Sequence, residues 1–163
     1  MTISAAAGAR VFIGTTAIPV IGPDYIDADV LLEFEADSYI EVGEVEDLGE
    51  FGDESEEIPF TSLADSRVRK LKGPRDAGSI PIVVGDDVLD DGQAAMEAAE
   101  RTPLDYNFKI ILNDAQTLGG SNSAHYFYGK VMSKRRNVGQ ANNVIRRTFN
   151  VGINSPIIST DPS

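Results

Sequence analysis

Carboxylates are the residues most able to do chemistry in this chain. Among 163 residues there are 26 Asp and Glu, 14 Lys and Arg, one His and no Cys, for a formal net charge of −12. Asp86, Asp87, Asp90 and Asp91 crowd up to Gly92 and invite a calcium reading. The EF-hand order fails there: with Gly92 at the sixth position, the third and twelfth positions fall on Leu89 and Ala98, which offer no side-chain ligand. The same acids suit a helix N-terminus, where negative charge meets the positive end of the dipole. His125 lies inside a strand pattern and is alone, so it cannot build a multi-histidine metal site and reads as structural. Gly14, Gly22 and Gly43 are not followed by the Gly-Lys-Ser/Thr of a phosphate-binding loop, and no Gly-x-Ser-x-Gly elbow occurs. Carboxylate pairs fit for glycoside chemistry are abundant by count, but their spacing in sequence does not place them. The expectation is no enzyme, no metal and no cofactor.

The charge is unevenly placed. No Lys or Arg occurs between Arg10 and Arg67, and acids fill that gap from Asp24 to Glu57. Cations then cluster as Arg67, Arg69, Lys70, Lys72 and Arg75, and return at Lys130, Lys134, Arg135, Arg136, Arg146 and Arg147. Opposite patches on one molecule can meet between copies and steer head-to-tail stacking; plain solvated faces explain the pattern equally well. The acidity argues against tight binding of nucleic acid, which needs Lys and Arg on phosphates, but suits a surface that nucleic acid must pass without sticking. No run approaches the roughly 20 apolar residues of a membrane helix, and the first residues lack the basic and apolar regions of a secretory leader. No membrane partner is expected, and the chain reads as made in a cytoplasm.

These residues need elements to position them, and the patterning points to strands. Residues 1–10 read as a flexible arm. Val11–Ile13 and Ala17–Ile21 suggest short strands joined by a turn at Gly14-Thr15-Thr16, with Gly22-Pro23-Asp24 as the next turn. From Leu31 to Gly43, Leu32, Phe34, Ala36, Ile40 and Val42 share one parity and Glu33, Glu35, Asp37 and Glu41 the other. A period of two predicts a strand with an acidic face, with Ala36-Asp37-Ser38 as a possible break into two. Residues 44–78 read as a long solvated loop containing a short strand near Glu57–Thr61. Ser79–Val84 is a strand. Asp90, three residues before Gln93, has the spacing of a capping box, and residues 91–101 are rich in helix formers. This is the one helix expected. Strands follow over Tyr106–Leu112, His125–Met132 and Val144–Ile153, the last with Ile145, Phe149, Val151 and Ile153 on one face. Residues 155–163 read as a loose tail. The fold class is mainly β: two packed antiparallel sheets, sandwich- or barrel-like, flanked by one helix, forming a single domain over 11–154.

One ordered set of segments is more specific. Gly43-Glu44-Val45-Glu46-Asp47-Leu48-Gly49-Glu50-Phe51-Gly52 leads into Glu57-Ile58-Pro59-Phe60-Thr61-Ser62-Leu63. Asp65, Arg67, Val68 and Gly73-Pro74-Arg75-Asp76-Ala77-Gly78 then run into the strand at Ser79. Tyr128-Gly129-Lys130-Val131 and Ile145-Arg146-Arg147-Thr148-Phe149-Asn150-Val151 make a closing hairpin. Over about residues 38–154 this resembles the tail tube (major tail) proteins of lambda-like, non-contractile long-tailed bacteriophages. The resemblance implies a structural virion protein. Hexameric rings would stack into a hollow tube through which DNA reaches the host without specific binding. It also implies a tail-tip initiator, a tape measure and a tail terminator as partners. Some relatives carry a further C-terminal immunoglobulin-like domain, for which no room is expected before Ser163.

On this resemblance, Glu33, Glu35, Asp37 and Glu41 are candidates for the lumen, although the same stripe suits the outside of a tube. Glu54, Glu56, Glu57, Arg67, Arg69, Lys70, Lys72 and Arg75 are candidates for contacts between subunits or rings, with the 44–78 loop ordering on assembly. The alternatives are the inner tube of a contractile injection system and a monomeric acidic binding module.

Overall fold

A computed structural model of the chain describes residues 3–18 and 27–163. Its elements, in chain order, are β1 (Arg10–Ile18), α1 (Asp27–Ala36), β2 (Tyr39–Val42), β3 (Val45–Asp47), β4 (Glu54–Thr61), β5 (Val68–Asp76), β6 (Ser79–Gly85), α2 (Asp91–Glu100), β7 (Asp105–Ile111), β8 (Ala124–Asn137), β9 (Arg146–Ile153) and β10 (Ile158–Thr160). The strands β2–β1–β7–β8–β9–β6–β3 follow one another in a sheet that β10 joins beside β8, while β4 and β5 make a separate two-stranded sheet. Every pairing among the described residues is antiparallel.

Alternation builds one core from both ends of the large sheet. Ile80, Ile82 and Val84 of β6 lie beside Phe149, Val151 and Ile153 of β9; Val11 and Ile13 of β1 lie beside Phe108 and Ile110 of β7. All belong to a single buried cluster, to which α2 adds Met96 and Ala99. A helix of ten residues cannot cover that many strands, so the sheet covers itself. Strand β8 makes this possible. Its residues Ala124–Gly129 pair with β7, Gly129–Asn137 pair with β9, and Gly129 alone belongs to both ladders. A Cβ at Gly129 would stand 2.2 Å from the Gly152 carbonyl oxygen, so the crossing of the two layers requires glycine. Phe108, Phe127 and Phe149 are fully buried inside the fold, each worth about 2–3 kcal/mol over exposure.

Helix α2 closes the open side against β1, β2 and β8. Asp90 caps it, its Oδ2 accepting from Gln93 N at 2.8 Å and from Gly43 N at 3.0 Å. Gln93 is 1% exposed yet satisfied: its Nε2 donates to the carbonyls of Gly85 and Gly43, and its Oε1 accepts from Asp87 N. The expected capping box is therefore built in altered form, with Gln93 reaching past the cap residue to Asp87.

The mainly antiparallel two-layer expectation holds, with four local corrections. The strand expected from Leu31 is helix α1 as far as Ala36, and only Tyr39–Val42 is strand. Phe34 is buried against Tyr126, ring centroids 5.9 Å apart, while Leu32 is 65% exposed; a strand would have put both on one face. Helix propensity in Leu31-Leu32-Glu33-Phe34-Glu35-Ala36 competes with the two-residue period and prevails. There are thus two helices among the described residues, where one was expected. Gly14-Thr15-Thr16 is a bulge, not a turn: these residues oppose Asn107 alone, and β1 continues along β7 on either side. The 44–78 segment is not one long loop: besides the strand expected near Glu57–Thr61, found as β4, it contains β3 and β5. The 155–163 tail is tied down, with β10 on β8 and Ser163 hydrogen-bonded to Ser121 and Gln116. Within the expected N-terminal arm, residues 3–8 are exposed, Ala7 accepts from Asn113 Nδ2 at 3.4 Å, and Arg10 already belongs to β1. The expected turn at Gly22-Pro23-Asp24, and residues 19–21 of the second expected strand, lie outside the described residues.

Substituting Gly129→Ala should cost about 2–3 kcal/mol, as overpacking against backbone does. Urea unfolding would register this as a lower midpoint at unchanged slope.

Candidate functional site

The cross-strand register of β4 and β5 gathers the expected contact residues on a projecting ribbon. Glu57 stands opposite Lys72, Ile58 opposite Leu71, Pro59 opposite Lys70 and Phe60 opposite Arg69, with a register shift between Ser55 and Glu57. Arg67 lies in the connection between the strands. Much of the ribbon's charge is matched within it: Lys70 Nζ lies 3.6 Å from Glu57 Oε1, Arg75 Nη2 3.3 Å from Asp53 Oδ2, and Arg69 pairs with Asp65. Exposed pairs of this kind contribute well under about 1 kcal/mol each.

One face of the ribbon, which also carries Arg69 opposite Phe60, presents an uncovered apolar cluster. Ile58, Phe60 and Leu71 share it and are 45%, 55% and 58% exposed. An isolated two-stranded hairpin is marginal in water, so this ribbon lacks the burial that secures the main sheet. Pro59 and Pro74 each lack an N–H, and a proline in a two-stranded ladder is tolerated where that gap points outward. The outer edges are therefore poor templates for an added strand; the face is the better contact surface. At the ribbon's base Glu54, Glu56, Glu57 and Asp76 line a groove of about 710 Å³ that has no cation in its lining.

The four candidate lumen acids do not share a strand face. Glu33 and Glu35 are exposed on α1, Asp37 follows that helix, and Glu41 is on β2. Asp37 Oδ2 accepts from the buried Asn107 Nδ2 at 3.1 Å, and its Oδ1 from Ser38 N. Arg10 grips Glu41 with two hydrogen bonds of 2.7 and 2.6 Å, which hold the Glu41 carboxyl below its usual range.

At the other end of β6 lies a charge network that sequence reasoning missed. Arg147 on β9 is buried; it pairs with Asp86 and reaches Glu97 Oε2 at 3.4 Å. Arg136 Nε meets Asp86 Oδ2 at 2.7 Å, and Lys134 Nζ meets Glu97 Oε1 at 2.6 Å. The Lys134 hydrogen bond draws the Glu97 carboxyl below its ordinary range. The signal was present, since Arg147 has the inward parity of Phe149, Val151 and Ile153, but a basic residue reads as surface. Among the acids assigned to a helix N-terminus, Asp90 and Asp91 do that work, whereas Asp86 serves this network.

His125 faces β10, its Nδ1 2.7 Å from Ser159 Oγ and its ring edge-on to Phe51. Burial lowers its pKa. No group of three or more His, Asp or Glu with metal-binding geometry occurs among the described residues.

No protein-family model and no curated protein matches the sequence. The fold is shared with solved structures along nearly the whole chain. A chain of the anti-feeding prophage baseplate superposes with a TM-score of 0.69 at 10% identity, covering 99% of this chain and 98% of that one. A chain from an extracellular contractile injection system, solved as the PVC sheath/tube terminator in the extended state, gives 0.64 at 11% identity over 98% of both. The SPP1 tail tube gives 0.56 at 13% identity, over 94% of this chain and 76% of that one. These likenesses establish a tail-tube-like β fold.

If the ribbon is a contact between copies, the amides of β4 and β5 should exchange freely in monomer and be protected in the assembled state. Hydrogen exchange with equal protection in both states would remove the ribbon from the interface.

Proposed function

We propose that the chain is a structural subunit of a tail-type conduit: it polymerises as stacked rings, six copies to a ring, into a hollow tube that passes DNA to a host cell. The observation that carries this reading is the end-to-end fold match to chains of tail and injection machinery. The ribbon supports it, because an uncovered apolar face on a two-stranded sheet is stabilised by contact with another surface. The partners on this reading are further copies of the chain, an initiator at the tail tip, a tape measure and a terminator. The site of action is the virion tail, after synthesis in the host cytoplasm.

A second reading is favoured by one observation. A chain from an extracellular contractile injection system matches the fold more closely than the SPP1 tail tube does, with a TM-score of 0.64 against 0.56. The chain is then the inner tube of a contractile injection system, and the difference from a lambda-like tail is a sheath partner. The experiment is negative-stain electron microscopy of the purified protein, fresh and concentrated, with and without the tail-tip initiator. Uniform hollow tubes or rings are expected. A monomer that persists with the initiator present would favour a monomeric acidic binding module.

On the DNA-conducting reading, acids at the channel wall keep DNA sliding by like-charge repulsion. Glu33 and Glu35, exposed on α1, are the candidates tested for that wall. The double substitution Glu33→Lys, Glu35→Lys in a phage should slow or block DNA ejection. Unchanged ejection kinetics would remove these acids from the lumen.

A further inference from the structure

Two oppositely charged concavities sit at opposite ends of one strand. The acidic groove of Glu54, Glu56, Glu57 and Asp76 adjoins the start of β6 at Ser79. A cavity of about 230 Å³ lined by Lys134, Arg135, Arg136, Arg147 and Glu97 lies at the other end, where Val84 pairs with Arg147 and Gly85 with Arg146. At the usual rise per strand residue the two ends of β6 are about 20 Å apart. No residue lines both concavities.

The cationic cavity is incompletely neutralised. Three of its four cations, Lys134, Arg136 and Arg147, share two carboxylates, Asp86 and Glu97, and Arg101 draws on Glu97 as well. Arg147, whose side chain is 6% exposed, lines the cavity. Its Nε is buried without a hydrogen-bond partner among the described residues. An unpaired donor of a buried guanidinium costs more than an ordinary lost hydrogen bond, so the two carboxylates leave this cluster under-satisfied. In a chain of net charge −12, a local cationic surplus is a specific feature, not a reflection of composition.

We propose that this cavity is the docking site for the carboxylates at the ribbon base of a second copy, chiefly Glu54 and Glu56. This rests on the tube reading and assigns the contact that gives the stack its direction. Glu54 and Glu56 are exposed, and neither takes part in the ion pairs found within the ribbon. The two surfaces differ and occupy opposite ends, so the contact is heterologous and repeats from copy to copy along an axis. Charge complementarity sets polarity and register and speeds encounter, with the apolar ribbon face supplying burial.

Zero-length carbodiimide coupling tests this, since it joins an amine to a carboxylate it already touches. Equal amounts of ¹⁴N- and ¹⁵N-labelled protein are mixed as monomers, concentrated with the tail-tip initiator present, coupled and digested, with parallel electron microscopy. Mixed-isotope peptides joining Lys134 to Glu54 or Glu56 are expected. The same-isotope Lys134–Glu97 link reports intact local structure. Arg135→Glu, at an exposed position, should cut the mixed link at least tenfold relative to the internal one. Tubes without a mixed-isotope link at Lys134, or a link indifferent to Arg135→Glu, would overturn the docking site and leave the tube reading standing. Mixed links without tubes would uphold the contact and overturn the tube. Neither tubes nor mixed links would overturn both.

Discussion

The fold depends on β8 serving two ladders in succession. Fourteen residues long, it leaves β7 and joins β9 at one shared residue, Gly129, whose backbone lies against Gly152. That crossing lets the sheet turn its apolar face on itself, so Phe108 and Phe127 from one layer share a core with Phe149 and Ile82 from the other. It also projects the second half of β8, with Lys134, Arg135 and Arg136, past the end of β7, where those cations remain near the surface. Core formation and the cationic end of the molecule are thus consequences of one bend.

Helix α2 seals the remaining opening, and polar contacts do as much as apolar ones. Met96 and Ala99 enter the core, but the helix is positioned by Asp90 holding Gly43 N and by Gln93 joining the ends of β2 and β6. A buried amide so fully satisfied favours one docking geometry, because any shift leaves donors or acceptors unpaired. Glu97 on the next turn completes the network of Lys134 and Arg147, so the helix that closes the core also builds one wall of the cationic cavity.

The ribbon follows a different physical rule. Its strands are held by their own ladder and by exposed ion pairs that contribute little, and its apolar residues face solvent in the single copy. Such a surface suits association: it keeps a soluble monomer through its charge while holding unburied area for contact.

The sequence by itself determined the β-rich class, the strands at Ser79, Tyr106 and His125, the helix at Asp91 and its cap, and most of the last strand, which begins at Arg146 and leaves Ile145 exposed instead of facing inward as expected. These rest on local periodicity and on residues within one turn of each other, which any chain segment carries with it. It also showed that acids and cations are segregated. Tertiary structure decided the rest. Leu31–Ala36 carries both a two-residue alternation and good helix formers, and burial of Phe34 on Tyr126 selected the helix. The pairing of β4 with β5 is a register between segments of polar composition, which no apolar pattern announces. Above all, Arg147 became a buried cation because β9 alternation forced it inward beside Asp86 and Glu97, residues 61 and 50 positions away. Local spacing sets which way a side chain points; only the packed fold sets what it meets there.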